Sequence, residues 1–238
     1  MKIALIGYGK MGKEIEAVAL ERKHTIALTI DLNNQHELTA ENLKKADVAI
    51  EFTNPETAYH NVLKCFEADV PVVSGSTGWN EKVEEARKKC IEGNHSFIWS
   101  SNYSLGVNIF FKINDYLAKI MNNYSNYEVS IDETHHTQKL DAPSGTAITL
   151  ANGIIRNIER KKQWQLNNQE SSDKLKITAI RRDNIPGIHT INYDSAVDYI
   201  EITHSAKNRK GLAFGAVLAA EYIHNKKGAF TMDDLLSI

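Results

Sequence analysis

The chain has 238 residues, of which 42% are hydrophobic and 24% charged, as in ordinary globular proteins. Its 28 Lys and Arg against 30 Asp and Glu give a formal net charge of −2. Nucleic-acid-binding proteins usually carry a basic patch, so we do not expect this chain to bind nucleic acid. No apolar run approaches the length of a membrane span, and we expect no signal peptide. The two cysteines, Cys65 and Cys90, are far apart in helical patterns and are interpreted as reduced thiols of a cytoplasmic protein.

The N-terminal segment has the pattern of a dinucleotide-binding unit. Strand-forming residues 2–6 precede Gly7-Tyr8-Gly9-Lys10-Met11-Gly12, a helical pattern, and a second strand pattern that ends in Asp31. The three glycines permit a tight turn, close approach to a pyrophosphate, and helix–strand packing. Asp31 is placed to bind the adenosine ribose and would repel a 2′-phosphate. The sequence therefore predicts NADH or NADPH as cofactor, with NADH favoured; the complete strand–helix–strand order disfavours simple turn glycines.

Strand and helix patterns continue to alternate as far as Ser104. Strands are predicted at 47–52, 70–74 and 95–99, and helices at 55–68 and 80–92. This order predicts an α/β domain, with a Rossmann-type parallel sheet covered by helices on both faces. Ligands of such sheets bind outside the carboxyl ends of the strands, where the loops Thr53–Asn54, Gly75–Gly78 and Ser100–Ser104 fall. Their side chains are equally explained as turns, but the two glycines of Gly75–Gly78 favour a contact with the cofactor.

The pattern changes after Ser104. A helix is predicted at 105–121, a strand at 126–132, a helix at 147–159, and strands at 174–181, 188–193 and 197–203. Strands that follow one another without helices predict an antiparallel or mixed sheet. The expected organisation is a dinucleotide-binding domain at 1–104, to which 213–238 returns, and an α+β substrate domain at 105–212.

The segment Glu133-Thr-His-His-Thr-Gln-Lys-Leu-Asp-Ala-Pro-Ser-Gly-Thr-Ala147 carries the chemistry. It places two imidazoles, His135 and His136, and the ammonium of Lys139 beside a helix N-terminus, whose unpaired N–H groups favour an anion. Ser144 is the expected helix cap, because the Gly-x-Ser-x-Gly pattern of a nucleophilic serine is absent. The segment suits a small anionic substrate that gains or loses a proton.

Two further interpretations concern the surroundings of this segment. A metal site is disfavoured because adjacent histidines lack the spacing of zinc ligands, although Glu133 and Asp141 offer carboxylates. Arg181, Arg182 and the loop 184–189 are expected to reach a substrate carboxylate, although a solvated strand edge explains Arg182 at least as well.

The segment 133–147 resembles the characteristic sequence of the dihydrodipicolinate reductase family, also called 4-hydroxy-tetrahydrodipicolinate reductases. Its block His-His-x-x-Lys-x-Asp-Ala-Pro-Ser-Gly-Thr is highly specific. Further matching segments follow in the family's order and extend the resemblance to nearly the whole chain: Gly7–Gly12, Phe52–Glu56, Gly75–Gly78, Ser101–Asn108 and Ile202–His204.

The resemblance implies NAD(P)H-dependent reduction of the cyclic dicarboxylate made by dihydrodipicolinate synthase, in lysine and diaminopimelate biosynthesis. Hydride transfer to substrate C4 and protonation of the adjacent carbon are expected. The implied roles are acid/base for His135 and substrate binding with proton donation for Lys139. The implied substrate contacts are His136, Gly145 and Thr146, and the implied cofactor contacts are Gly7, Tyr8, Gly9, Lys10, Met11, Gly12, Asp31, Gly75, Ser76, Thr77, Ser100, Ser101, Asn102 and Tyr103.

A homotetramer built through the sheet of the substrate domain is a further implication, and Tyr103 departs from the Phe common at its position. Two other functions fit the architecture: a related NAD(P)-dependent amino-acid dehydrogenase, and a non-catalytic dinucleotide-sensing protein. A sensor has no need of His135 and Lys139 beside an anion-binding helix start.

Overall fold

The computed structural model describes residues 1–168, 171–182, 184–208 and 210–237. The chain forms two compact units, one comprising Met1–Leu105 with Lys210–Ile238 and the other Gly106–Arg209. None of the described helices is both long and apolar enough to cross a membrane.

The described elements alternate in the first half of the chain and are mostly strands in the second. The strands are β1 (Lys2–Ile6), β2 (Thr25–Ile30), β3 (Val48–Glu51), β4 (Val72–Ser74), β5 (Ser96–Trp99), β6 (Glu128–His135), β7 (Gln163–Leu166), β8 (Lys174–Arg181), β9 (Ile188–Asp194), β10 (Tyr199–Ser205) and β11 (Gly228–Phe230). The helices are α1 (Lys10–Glu21), α2 (Ala40–Leu43), α3 (Pro55–Glu67), α4 (Asn80–Glu92), α5 (Leu105–Met121), α6 (Gly145–Asn157), α7 (Lys210–Ile223) and α8 (Met232–Leu236), with a 3₁₀ helix at Leu32–Glu37.

The first unit contains a six-stranded sheet in the order β11-β5-β4-β3-β1-β2, and its strand pairs are parallel. Successive side chains of a strand point to opposite faces, so Ile3 and Leu5 pack with α1 and α7, whereas Ala4 and Ile6 pack with α3 and α4. Both faces of the sheet are therefore buried. The predicted Rossmann-type parallel sheet is confirmed.

The C-terminal segment completes this sheet. β11 pairs with β5, and α7 packs on α1 through small side chains. A Cβ at Gly215 of α7 would lie 1.7 Å from the carbonyl oxygen of Tyr103, so this contact requires glycine. Thr231 caps α8 by accepting a hydrogen bond from the Asp234 N–H.

The second unit contains a five-stranded sheet in the order β10-β9-β6-β8-β7. β9 runs antiparallel to β6 and β10, whereas β6, β7 and β8 are parallel to one another. Helices α5 and α6 cover one face through buried residues such as Phe110, Leu150 and Ile154. The predicted mixed sheet is confirmed, with β7 as a strand that the pattern did not predict.

Candidate active site

The turn between β1 and α1 has the geometry of a pyrophosphate-binding loop. Gly7 has φ +95°, and a Cβ there would lie 2.1 Å from the carbonyl oxygen of Phe52. A Cβ at Gly12 would lie 2.3 Å from the carbonyl oxygen of Gly7, whereas the space beside Gly9 is open. The N-cap residue of α1 is Gly9, which has no side chain to cap the helix, so the first N–H groups are available to an anion. The residues present therefore fit a dinucleotide.

A cavity of about 510 Å³ adjoins this turn in the first unit. Asp31 lines it, and the Asp31 N–H donates to the side-chain oxygen of Asn34 at 2.7 Å. The lining also contains residues of α3 and its preceding loop, as well as the 3₁₀ helix: Gln35, His36, Phe52, Thr53, Asn54, Thr57, His60 and Lys64. Of these, only Thr53 and Asn54 were predicted from the sequence to lie where a ligand binds. Pro55 starts α3 directly after β3, a sequence signal that places its first turns at the same sheet edge.

The Gly75–Thr77 loop is held by a buried carboxylate. The hydroxyl of Ser76 donates to Oε1 of Glu51 at 2.8 Å and accepts from the Thr53 N–H at 2.8 Å. A Cβ at Gly75 would lie 2.1 Å from the ring of Phe52, so this glycine makes room for an aromatic side chain. Of the three predicted contacts, only Thr77 exposes its side chain freely.

The Ser100–Tyr103 loop follows β5 and is likewise ordered from within. Tyr103 is 1% exposed, and its hydroxyl donates to the carbonyl oxygens of Ser74 and Ile98 at 2.9 and 3.1 Å. A predicted cofactor contact at Tyr103 is therefore limited to its main chain. Ser101 is exposed, and Ser100 Oγ accepts from the Asn102 N–H at 3.2 Å.

In the second unit, β6 carries the predicted catalytic histidine. Its alternate residues Val129, Ile131, Glu133 and His135 are buried on the helix-covered face. β6 begins two residues later and ends three residues later than predicted, so the predicted strand end at residue 132 was wrong and His135 is the last residue of the strand. The physical reason is that the alternation of buried residues along the strand continues through Glu133 and His135, whose polar groups face Arg181, His189 and the Ser144 N–H.

The neighbouring strands place polar side chains on the same face. In the sheet register Glu133 lies opposite His189 of β9, and His135 lies opposite Arg181 of β8. The rings of His135 and His189 are 5.0 Å apart, centroid to centroid, at an angle of 73°. Residues distant in sequence thus meet at one end of the sheet.

Glu133 lies at the centre of this group and is fully buried. Its two oxygens accept from the Ser144 N–H at 3.0 and 3.2 Å, and its Oε1 accepts from Nη2 of Arg181 at 3.2 Å. Its Oε2 is 3.7 Å from Nδ1 of His135 and 3.7 Å from Nε2 of His189. The carboxylate therefore lies next to His135 on its own strand, Arg181 on β8, His189 on β9 and the Ser144 N–H at the start of α6.

Ser144 caps α6 as predicted. Its Oγ accepts from the Ala147 N–H at 3.2 Å and lies 3.1 Å from Nε2 of His189. α6 begins two residues earlier than expected, so Gly145 and Thr146 form its first turn. Gly145 is exposed, with open space where a Cβ would be, as an anion-binding helix start requires.

The loop between β6 and α6 carries the predicted lysine. The ammonium of Lys139 is 2.7 Å from Oδ1 of Asp141. Arg181 donates from Nη2 to the carbonyl oxygen of Asp141 at 2.6 Å and from Nε to that of Lys139 at 3.3 Å. Arg181 thus holds this loop, whereas the side chain of Arg182 is exposed. His136 lines a separate cavity of about 330 Å³ with residues that include Asn184, Ile185, Pro186 and Lys207.

Comparison with known proteins now decides the family. The model of the N-terminus of dihydrodipicolinate reductase matches residues 1–103, and that of its C-terminus matches residues 106–236. The chain belongs to the dihydrodipicolinate reductase family. A relative named 4-hydroxy-tetrahydrodipicolinate reductase, from Christiangramia forsetii, is 48% identical over 100% of this chain and 98% of its own length. One of the same name from Buchnera aphidicola is 31% identical over 99% and 96%.

Solved structures agree on the fold. A dipicolinate-bound dihydrodipicolinate reductase from Paenisporosarcina sp. TG-14 has a TM-score of 0.80 at 22% identity and covers 97% of each chain. An amine dehydrogenase from Mycobacterium smegmatis has a TM-score of 0.60 at 10% identity, covering 98% of this chain and 95% of its own. The two-unit fold is thus shared by oxidoreductases of this and other families.

Electrostatics at the site of this dihydrodipicolinate reductase family member favour neutral imidazoles. Burial lowers the pKa of His135; Glu133 opposes this shift, and the cations Lys139 and Arg181 add to it. Burial also lowers the pKa of His189, to about 4. The pKa of Asp141 is lowered because the ammonium of Lys139 outweighs the effect of burial.

A cation is a poor match for the same cluster. Ligand atoms of Glu133, His135 and His189 lie within 4.8 Å of one another. The carboxylate, however, already accepts hydrogen bonds from Arg181 and the Ser144 N–H, and a metal ion would have to displace a guanidinium. The cluster is therefore better suited to proton transfer and to holding an anion-binding helix start than to binding a metal ion.

Proposed function

We propose that this chain reduces 4-hydroxy-tetrahydrodipicolinate to tetrahydrodipicolinate, in lysine and diaminopimelate biosynthesis. In this reaction NADH or NADPH supplies a hydride, a proton is added and water is lost. The observation that carries the proposal is the convergence of His135, Lys139 and the open start of α6 in a family member whose first unit has a dinucleotide-binding turn. A sensor would not require this second constellation.

The substrate is a dianion, and the proposed site offers matching charges. The N–H groups of Gly145 and Thr146 at the start of α6 would bind one carboxylate, and His136 is a further proposed substrate contact. Lys139 would exchange its partner Asp141, 2.7 Å away, for a substrate carboxylate. An ammonium already paired in the free protein is held near its working position, at the cost of breaking that pair.

His135 would transfer the proton. Its ring is held at the end of a strand, where burial lowers its pKa and the charges of Glu133, Lys139 and Arg181 act on it. Binding of a dianion nearby favours the protonated imidazole, since opposite charges within a few ångströms raise the pKa of a histidine. Lys139 is the second proposed proton donor.

NADH is the proposed preferred cofactor. Asp31 follows β2 on the cavity wall, and the next residue, Leu32, offers no cation for a 2′-phosphate. His36, His60 and Lys64 also line the cavity, so the preference is moderate rather than absolute. Parallel steady-state assays with NADH and NADPH test it.

We further propose a cytoplasmic homotetramer assembled through the sheet of the second unit. Ile180 and Tyr199 support this, being 40% and 70% exposed on the sheet face opposite α5 and α6. Both cysteines are free and buried, in keeping with a reducing compartment. Light scattering of the purified protein would give the mass of the assembly, and a monomeric mass contradicts this part.

Turnover is the decisive test of the activity. Purified protein with NADH should oxidise the nicotinamide when dihydrodipicolinate synthase, pyruvate and aspartate semialdehyde supply the substrate. No oxidation of NADH should occur when the synthase is left out. A related amino-acid dehydrogenase would instead reduce NAD⁺ when an amino acid is supplied, and this reaction should be absent. Absence of synthase-dependent turnover with either cofactor refutes the proposed function.

A further inference from the structure

Among the described residues of the second unit, the carboxylate of Glu133 bonds none of the proposed substrate contacts, yet it joins the parts of the proposed site. It lies at the buried end of β6, two residues before His135 on the same face. Carboxylates are seldom fully buried unless hydrogen bonds and cations compensate for lost solvation. Here the Ser144 N–H and the guanidinium of Arg181 supply that compensation.

The ring of His135 is bracketed by this carboxylate and a glycine. Nδ1 has no hydrogen-bond partner among the described residues and is 3.7 Å from Oε2 of Glu133. On the other side of the ring, a Cβ at Gly187 would come within 3.1 Å of Nε2. Nδ1 is therefore directed to the buried charge, and Nε2 remains for exchange of a proton.

The same carboxylate also connects the anion-binding elements. It accepts from the N–H of Ser144, the residue that caps α6. Through Arg181 it is linked to the carbonyl oxygens of Lys139 and Asp141, so the loop that carries the lysine is tied to it as well. One buried group thus connects the histidine, the lysine loop and the helix start.

We propose that Glu133 is a positioning residue of the reductase site, which orients His135, fixes the start of α6 and favours the protonated imidazole during turnover. This inference rests on the proposed function of His135. Glu133 acts through other residues and does not itself touch the substrate.

The charges around His135 determine the expected effect. Glu133 on β6, Lys139 and Asp141 in the following loop, Arg181 on β8 and the imidazole of His189 on β9 all face it. Removal of Glu133 leaves two cations opposed by a single, more exposed carboxylate, so the protonated form of His135 is disfavoured. A proton donor with a lower pKa loses its proton at a lower pH, and the alkaline limb of kcat should move accordingly.

Glu133→Gln keeps the size of the side chain and removes its charge. Its alkaline limb of kcat should lie about one pH unit below that of the unaltered chain, the lower end of shifts caused by a charge at this distance. Asp132→Asn is the matched control: it removes one carboxylate from the same strand, but Asp132 points to the opposite face and bonds Asn192. If the alkaline limb of kcat lies at the same pH in Glu133→Gln and Asp132→Asn, the inference is overturned, whatever the change in the magnitude of kcat.

Titration of the His135 ring by NMR, in protein with labelled histidine, separates this inference from the proposed function. The signal is assigned by its loss in His135→Gln. A lower ring pKa in Glu133→Gln, with no change in Asp132→Asn, supports the coupling even if reductase activity is absent; an unchanged ring pKa refutes it even if activity is present. Should Glu133→Gln fail to fold, Glu133→Asp withdraws the charge by one methylene, and an unaltered ring pKa there is equally contradictory.

Discussion

Protonation of His189 should destabilise the second unit in mild acid. Its side chain is 6% exposed, and burial lowers its pKa to about 4, against about 6.5 for an unfolded histidine. Between these values the unfolded chain binds a proton that the folded chain does not, so the free energy of unfolding falls as the pH drops from about 6.5 towards 4. A difference of about 2.5 pKa units corresponds to about 3 kcal/mol, which is fully present above pH 6.5.

The variant His189→Gln isolates this contribution, because glutamine can still bond Ser144 Oγ but does not titrate. Urea unfolding followed by circular dichroism at pH 7.5 and at pH 4.5 gives the stability lost on acidification. The unaltered chain should lose about 2 to 3 kcal/mol more than His189→Gln, while His36→Gln, at an exposed site of the other unit, should match the unaltered chain. Equal losses in the unaltered chain and His189→Gln refute the reasoning.

Three further predictions concern the proposed chemistry and cofactor. His135→Ala should lower kcat by roughly 10²- to 10⁴-fold in steady-state assays, the usual loss of general acid–base catalysis, and unchanged turnover would remove His135 from this role. Asp31→Ala should weaken the binding of NADH more than that of NADPH in fluorescence titrations. Equal losses of affinity for the two cofactors contradict a contact with the ribose. Gly9→Ala should weaken NADH binding with little change in Tm, because the protein leaves the space beside Gly9 open. Gly12→Ala should lower Tm, because its Cβ would lie 2.3 Å from the Gly7 carbonyl oxygen. Equal losses of Tm in the two variants would show that Gly9 serves packing alone.

The first unit could be predicted well because its strands and helices are long or strongly patterned. Buried strands such as β1 form continuous apolar runs, and Pro55 signals the start of α3. The elements that were not predicted are short and depend on tertiary contacts. β11 has three residues and exists by pairing with β5, and α2 has a single turn capped by Thr39.

The second unit shows where local patterns stop being informative. Residues 133–147 drew attention because they are contiguous, but the contributions of Arg181 and His189 depend on strand register, which brings them beside His135 and Glu133. The sequence did contain one signal for this arrangement. The alternation that buries Val129 and Ile131 continues into Glu133 and His135, and a carboxylate at a position of the buried face must find compensating partners. Guanidinium, imidazole and main-chain N–H groups are those partners here, so a charged residue in phase with a buried strand face predicts a polar cluster at that end of the sheet.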